Sequence, residues 1–438
     1  MRCRAAAFCL VWMLSASAPA IARAAQFDFW YAHGGLYAQA IDELCAGFNN
    51  ANPHDHVRCL PQGSYEQTLR KAVAAYRAGQ QPAVVEIYDV GTADMMHSGA
   101  IYPVDALMKD TGHRADDSDY LDSIRRFYAT PDGRLLSQPF GTSTLVLYAN
   151  RRKLAAAGIH QLPQTWEAFG QALQALKQHG ETCPAAADYM PWKMLDQINA
   201  VQGAPIASAN NGHDGLSARY VFAGGIHQRY MRDVARWHAQ GLLVPAVMTH
   251  ANDQTLAFAD GECAMALDAT GAYAIVAKAS IVDAEVGALP VYAGTTRYGN
   301  TIGGSSLWVF KGKQATVYPA VARFLAYLRA PEQQLFFSSR TGYLPLTHDA
   351  AQRLAKAPDE PGAIRVGLAS MALPGNPYNA GVRLGFMSLF RLIWQEEVQR
   401  ALAGRESMDD ALAHAQARGN LLLERFQATY AGTAEGQP

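Results

Sequence analysis

The chain has 438 residues, half of them apolar and 17% charged, which excludes disorder and suits two or three domains with cores of their own. A formal net charge of −1 argues against the basic surface that nucleic acid or anionic lipid would require.

Arg2 and Arg4 precede an apolar stretch at 5–20, and Ala22-Arg23-Ala24 follows it. That order predicts a secretory signal peptide cleaved after Ala24. The stretch is too short and too rich in serine and alanine to read as a membrane anchor. Cys9 lies inside the apolar stretch rather than at its end, which argues against a lipoprotein. Losing Arg2, Arg4 and Arg23 leaves 34 basic against 38 acidic residues, a charge of about −4.

Residues 27–31 read as a buried strand and 36–49 as an amphipathic helix, with Ile41, Leu44, Cys45 and Phe48 on one face. A strand at 57–60, a helix at 65–77 ending at Gly79, and a strand at 83–88 complete a β-α-β-α-β series. His54-Asp-His56, beside Pro53, reads as the loop between that first helix and strand rather than as a metal site. The series predicts a mostly parallel sheet flanked by helices, with ligand residues just past the strand ends, at 31–35, 62–65 and 89–92.

A second unit follows, with a strand at 145–148, a helix at 151–157 closed by Gly158, and a helix at 166–178 capped by Thr165. A long helical and loop region leads to strands at 263–267 and 307–310. Helices are expected at 320–328, after Pro331, and near 384–403 and 408–430. No repeat or low-complexity linker separates the two units, so the lobes should be joined by strand-like crossings.

Four cysteines survive processing: Cys45, Cys59, Cys183 and Cys263. Export permits disulfides, and three pairings are open, as are free buried thiols. Cys45 on a helix and Cys59 on the next strand are placed to meet, which would leave Cys183 and Cys263 to close a long loop. No C-x-x-C spacing supports zinc or redox chemistry.

Tyr148-Ala-Asn-Arg-Arg-Lys-Leu-Ala-Ala-Ala-Gly158, Pro163-Gln-Thr-Trp-Glu167, Gly261-Glu-Cys-Ala-Met265 and Thr341-Gly-Tyr-Leu-Pro345 together resemble the large extracellular solute-binding proteins of the maltodextrin-binding group. A narrower resemblance is to the periplasmic glycerol-3-phosphate-binding proteins of ABC transporters. It rests on Gly63-Ser-Tyr-Glu-Gln67, Tyr88-Asp-Val-Gly-Thr-Ala93, Leu136-Ser-Gln-Pro-Phe140, Gly303-Gly-Ser-Ser-Leu-Trp308, Arg383-Leu-Gly385 and Arg418-Gly-Asn420, and covers nearly the whole processed chain. It implies a two-lobed α/β binding protein, a Venus flytrap with extra C-terminal helices. The first lobe would comprise 25–140 plus 290–342 and the second 141–289 plus 343–438. Hinge closure over ligand would create the surface that docks on a membrane permease served by an ATPase. The resemblance implies a monomer and no cofactor or metal.

By motif, the resemblance implies ligand contacts at Tyr65, Asp89, Ser143, Trp192, Gly304, Tyr343 and Arg391, with Tyr189 and Ala269 at two further site positions. Arg391 stands out on chemistry alone. It lies in an apolar helical run, and its neighbours three and four residues away are Met387, Ser388, Trp394 and Gln395, none of them acidic. A buried guanidinium needs an anion, and its fork suits phosphate; a distant carboxylate or an exit to water would also satisfy it. Ser143 and Tyr343 offer hydroxyls, Gly304 an unobstructed N–H, Asp89 and Tyr65 partners for glycerol hydroxyls, and Trp192 an apolar cover.

Three positions depart from the glycerol-phosphate pattern, which has glutamate at Asp89, a hydroxyl residue at Ala269 and tryptophan at Tyr189. The shorter acid and lost donor favour a roomier site for a diester such as glycerophosphocholine, whereas Thr270 would restore the donor for a monoester. Asp268 adds a negative charge whose direction the sequence leaves open. An enzyme is disfavoured by the lack of H-E-x-x-H, G-x-S-x-G, a P-loop or G-x-G-x-x-G. A sugar-binding protein on the same fold is the alternative, and it would have no need of Arg391.

Overall fold

The computed structural model describes residues 25–114, 117–357 and 362–432; the leader and its cleavage point lie outside the described residues. The strands in chain order are β1 (Ala25–Tyr31), β2 (Asp55–Pro61), β3 (Val84–Tyr88), β4 (Ile101–Tyr102), β5 (Gln138–Ser143), β6 (Leu145–Asn150), β7 (Cys183–Ala187), β8 (Leu243–Pro245), β9 (Cys263–Ala269), β10 (Ala284–Gly287) and β11 (Gly303–Phe310). They form two sheets. One has the order β2-β1-β3-β11-β4 with β5 also on β11, and the other the order β10-β6-β9-β7-β8.

Alternation along β1 buries Phe27, Phe29 and Tyr31 beneath helix Gly35–Ala51, whose Ile41, Leu44, Cys45 and Phe48 form the predicted apolar face. Phe324, from helix Val317–Arg329, closes this core against Phe48 with ring centres 5.1 Å apart. The second core centres on Trp166, which lies 4.8 Å from Tyr230 and 6.2 Å from Trp237 on helix Gly225–Ala239. Such aromatic clusters dominate the burial energy of a core.

Parallel order is confined to β2-β1-β3 and β9-β7-β8; every other pairing is antiparallel. The mostly parallel expectation therefore gives way to mixed sheets. The reason is connectivity: parallel neighbours need a helical crossover, whereas β11 and β5 enter or leave directly from the other sheet. Only Thr144 separates β5 from β6, and the chain returns between β10 and β11.

Cys45 is bonded to Cys59, and Cys183 to Cys263, with Cα separations of 6.5 and 4.6 Å. The second pair joins register partners at the first positions of β7 and β9. Two local expectations shift. Asp55 and His56 belong to β2 rather than to a loop, with Asp55 paired to Arg323 at 2.6 Å. The late helix begins at Met387, not near 384, because Phe386 has a left-handed backbone (φ 53°) that cannot continue a helix.

Candidate functional site

Seven of the nine predicted residues line the gap where the ends of both sheets face each other. Ser64 and Gln67 form a capping box that starts helix Tyr65–Arg77 and fixes Tyr65 at its first position. The Tyr65 ring stacks on Tyr88, 5.2 Å away and nearly coplanar, and its hydroxyl lies 3.4 Å from that of Tyr343. Asp89 follows β3 directly, past the strand's carboxyl end. Its carboxylate accepts from the backbone N–H of Gly304; burial pushes its pKa up to about 6, with Arg391 pulling the other way. Gly304 has φ +109°, and a Cβ there would strike the Gly141 carbonyl, so only glycine brings this N–H to Asp89.

The opposing wall is built from helix Met387–Leu402 and the π-helical turn Trp192–Asp196. Arg391 points across the gap. Its Nη1 lies 2.8 Å from Glu66 Oε1, its Nη2 donates to Met190 Sδ at 3.2 Å, and its Cζ sits 5.5 Å from the Tyr88 ring centre. The lack of a carboxylate three or four residues away on its own helix is thus made good from the opposite wall of the gap, by Glu66 next to Tyr65. The Trp192 indole covers Gly303, where a Cβ would collide with it, and donates to the Ile302 carbonyl at 3.4 Å. Ser143 is buried opposite Gly303 on β5.

A family model for bacterial extracellular solute-binding proteins matches residues 43–363. The chain belongs to this family. Among its relatives, the sn-glycerol-3-phosphate-binding periplasmic protein UgpB of Escherichia coli strain 536 is 33% identical over 435 residues, covering 98% of each chain. The protein of the same name from Yersinia pseudotuberculosis is 33% identical over 428 residues, 96% of this chain and 97% of that one. Among solved structures, UgpB from Mycobacterium tuberculosis in complex with glycerophosphocholine has a TM-score of 0.73 at 23% identity, covering 91% and 98%. The sugar-binding protein MalE of Xanthomonas citri has a TM-score of 0.72 at 19% identity, covering 93% and 99%. At such identities these two show the fold alone.

In this solute-binding protein the remaining predicted positions divide. Ala269 ends β9 at the site's edge, and the following Thr270 and Gly271 pack on Gly342 and Tyr343. Thr270 Oγ1 is buried without a hydrogen-bond partner in the protein. Tyr189 faces elsewhere: its hydroxyl donates to the Leu243 carbonyl at 3.2 Å, and its ring lines a separate apolar groove of about 400 Å³ beside Val247 and Leu402. Asp268 is already engaged by neighbours in the protein. It accepts from Lys193 Nζ at 2.7 Å and Gln254 Nε2 at 2.6 Å. Burial alone would raise its pKa, but the Lys193 ammonium and these bonds hold it below the usual carboxylate range.

Three acids escaped sequence reasoning. Glu86, fully buried in β3, accepts from Ala32 N–H at 2.8 Å and from the Tyr37 and Ser305 hydroxyls, which ties the loop after β1 to β11. An acid inside the apolar run Val84-Val-Glu-Ile-Tyr88 was its signal. Glu66 lay in plain view beside Tyr65. Asp196, 4% exposed, ends the π-helical turn. A further cavity of about 500 Å³, between His97 on one side and His213, Arg383 and Phe426 on the other, contains none of the nine predicted residues. Glu397, Glu406 and His414 cluster closely enough to suggest a cation site, but Arg400 and Arg418 already pair with the two glutamates.

Proposed function

We propose that this protein is the solute-binding component of an ABC importer and captures a glycerol phosphate, as the monoester or a glycerophosphodiester, in the periplasm. The observation that carries the reading is Arg391, a guanidinium with 13% of its side chain exposed, aimed into a gap lined by Tyr65, Asp89, Gly304 and Tyr343. Guanidinium and hydroxyl donors suit phosphate oxygens, and Asp89 suits glycerol hydroxyls. Relatives a third identical over nearly their whole length are named for sn-glycerol-3-phosphate.

The lobes are residues 25–140 with 290–342 and 141–289 with 343–438, and ligand closes them about the three crossings between them. Capture is reversible binding without bond making, as befits a family of binding proteins. Residues 1–24 direct export and are removed after Ala24. The closed monomer docks on a membrane permease driven by its ATPase.

Calorimetric titration of the processed protein with sn-glycerol-3-phosphate, glycerophosphocholine and maltose tests the reading. A phosphate ligand should bind and maltose should not. Arg391→Ala should weaken the phosphate ligand by about a hundredfold or more, since two charge-assisted hydrogen bonds are lost. Heat from maltose alone, or unchanged phosphate affinity in the variant, would overturn it.

A further inference from the structure

The cavity of about 500 Å³ that holds none of the predicted ligand residues has two walls from distant parts of the chain. One is helix Thr92–His97 with residues 130–136. The other is residues 212–216 and 383–385 with the last turns of helix Met408–Tyr430. Met96, Leu136, Leu384, Leu423 and Phe426 make much of the lining apolar. The walls touch where His97 packs edge-on against Phe426, with ring centres 5.6 Å apart.

Arg383 brings a charge into this lining that no acid answers. Its Nη2 donates to the carbonyls of Phe127, at 3.1 Å, and Ala129, and its Nε is buried without a partner. No carboxylate among the described residues pairs with it. Burial lowers its pKa to about 10 with no acid pulling the other way, so the charge persists at neutral pH. The other polar groups do not offset it. His97 and His213 have pKa values lowered by burial and by Arg383, His213 to about 3, so both are neutral near pH 7. Arg126 adds to the positive field at His213, whose Nε2 is buried without a partner. Arg134 is already paired with Asp105 at 2.8 Å. Asp132 and Asp214 also line the cavity but are exposed to solvent, which screens them. A desolvated guanidinium is normally paired, and this one has only backbone carbonyls.

We propose that this cavity is a second ligand site, separate from the gap, for a small organic monoanion: a carboxylate on Arg383 with a hydrocarbon body against Leu384, Leu423 and Phe426. An apolar pocket of this size with a few convergent polar groups is the common form of a small-molecule site. The guanidinium fork suits a carboxylate, and one unanswered charge matches one negative charge. The two exposed aspartates disfavour a dianion such as phosphate. The site is independent of what the gap binds.

Titration of the processed protein with benzoate, hexanoate and acetate tests it, followed by calorimetry and by the ring C–H NMR signals of His97 and His213. Benzoate or hexanoate should bind with a Kd of about 1 mM or tighter and shift both histidine signals. Acetate, which lacks the hydrocarbon body, should bind at least about tenfold more weakly. Arg383→Gln should weaken benzoate about tenfold or more. Should that variant not fold, His97→Glu carries the test: it sets a carboxylate across the cavity from Arg383 and should weaken benzoate to a similar extent. Benzoate binding should persist in Arg391→Ala. No binding of benzoate or hexanoate, acetate as tight as either, affinity unchanged in the folded Arg383 or His97 variant, or affinity lost with Arg391→Ala would each overturn the second site.

Discussion

Asp89→Asn separates what the site costs the fold from what it does. Burial raises the Asp89 carboxyl from 3.8 in the unfolded chain to about 6 in the folded protein, against the pull of Arg391 and three backbone N–H groups. A raised acid is tolerated as its neutral form. Its contribution is fully present below about pH 4 and is lost as pH rises through 6. Asparagine copies the protonated form, so the ligand-free variant should match wild type at pH 4. It should gain about 1.4 kcal/mol per pH unit up to pH 6 and level off near 3 kcal/mol, an upper limit because the side chain keeps some access to water. Urea unfolding from pH 4 to 8.5, taken as the difference between variant and wild type, removes the background from Glu86 and Asp196, whose pKa values are also raised by burial. A difference that stays flat with pH, or in which the variant loses stability above pH 6, would refute the argument that Asp89 is held in the fold against its own ionisation.

Gly304→Ala should destabilise the protein by about 2 kcal/mol or more, because it forces a side chain into a left-handed backbone and against the Gly141 carbonyl; the urea midpoint reads it. Lys193→Met should cost about 3–5 kcal/mol by leaving Asp188 and Asp268 without their counter-charge, again read by unfolding. Removing the Cys183–Cys263 disulfide, with partners 80 residues apart, should cost about 4.5 kcal/mol, against about 3 for Cys45–Cys59 at 14 residues. Paired double-alanine variants compared without reductant would show whether loop length sets that order.

Where sequence gave a strong period, the fold was legible. The apolar face Ile41, Leu44, Cys45 and Phe48 predicted the first helix, and helix Trp166–Gln178 was bounded correctly by its Thr165 cap and Trp166 anchor. What failed lacked a local signal. The first half of β11, Gly303-Gly-Ser-Ser, has no hydrophobic period and becomes strand only because β3 and β5 supply partners from far along the chain. Strand direction was misjudged for the same reason: the β-α-β rhythm of the first 88 residues says nothing of a strand that arrives 200 residues later.

The site shows the same divide between local and distant causes. Neighbours at three and four positions on its helix offered Arg391 no acidic partner there, and the structure agrees; they could not say that Glu66 would reach across the gap. That pairing recasts the chemistry. A guanidinium waiting unpaired would take any small anion, whereas one already bonded to Glu66 yields only to a ligand that repays the lost ion pair with several bonds at once. Glycerol on Asp89 and phosphate on Arg391 would do this together, and inorganic phosphate, lacking the glycerol arm, would not. Inorganic phosphate should therefore bind Glu66→Gln several-fold more tightly than wild type. Equal, weak binding to both in the same calorimetric assay would mean that Glu66 does not compete for Arg391 in solution.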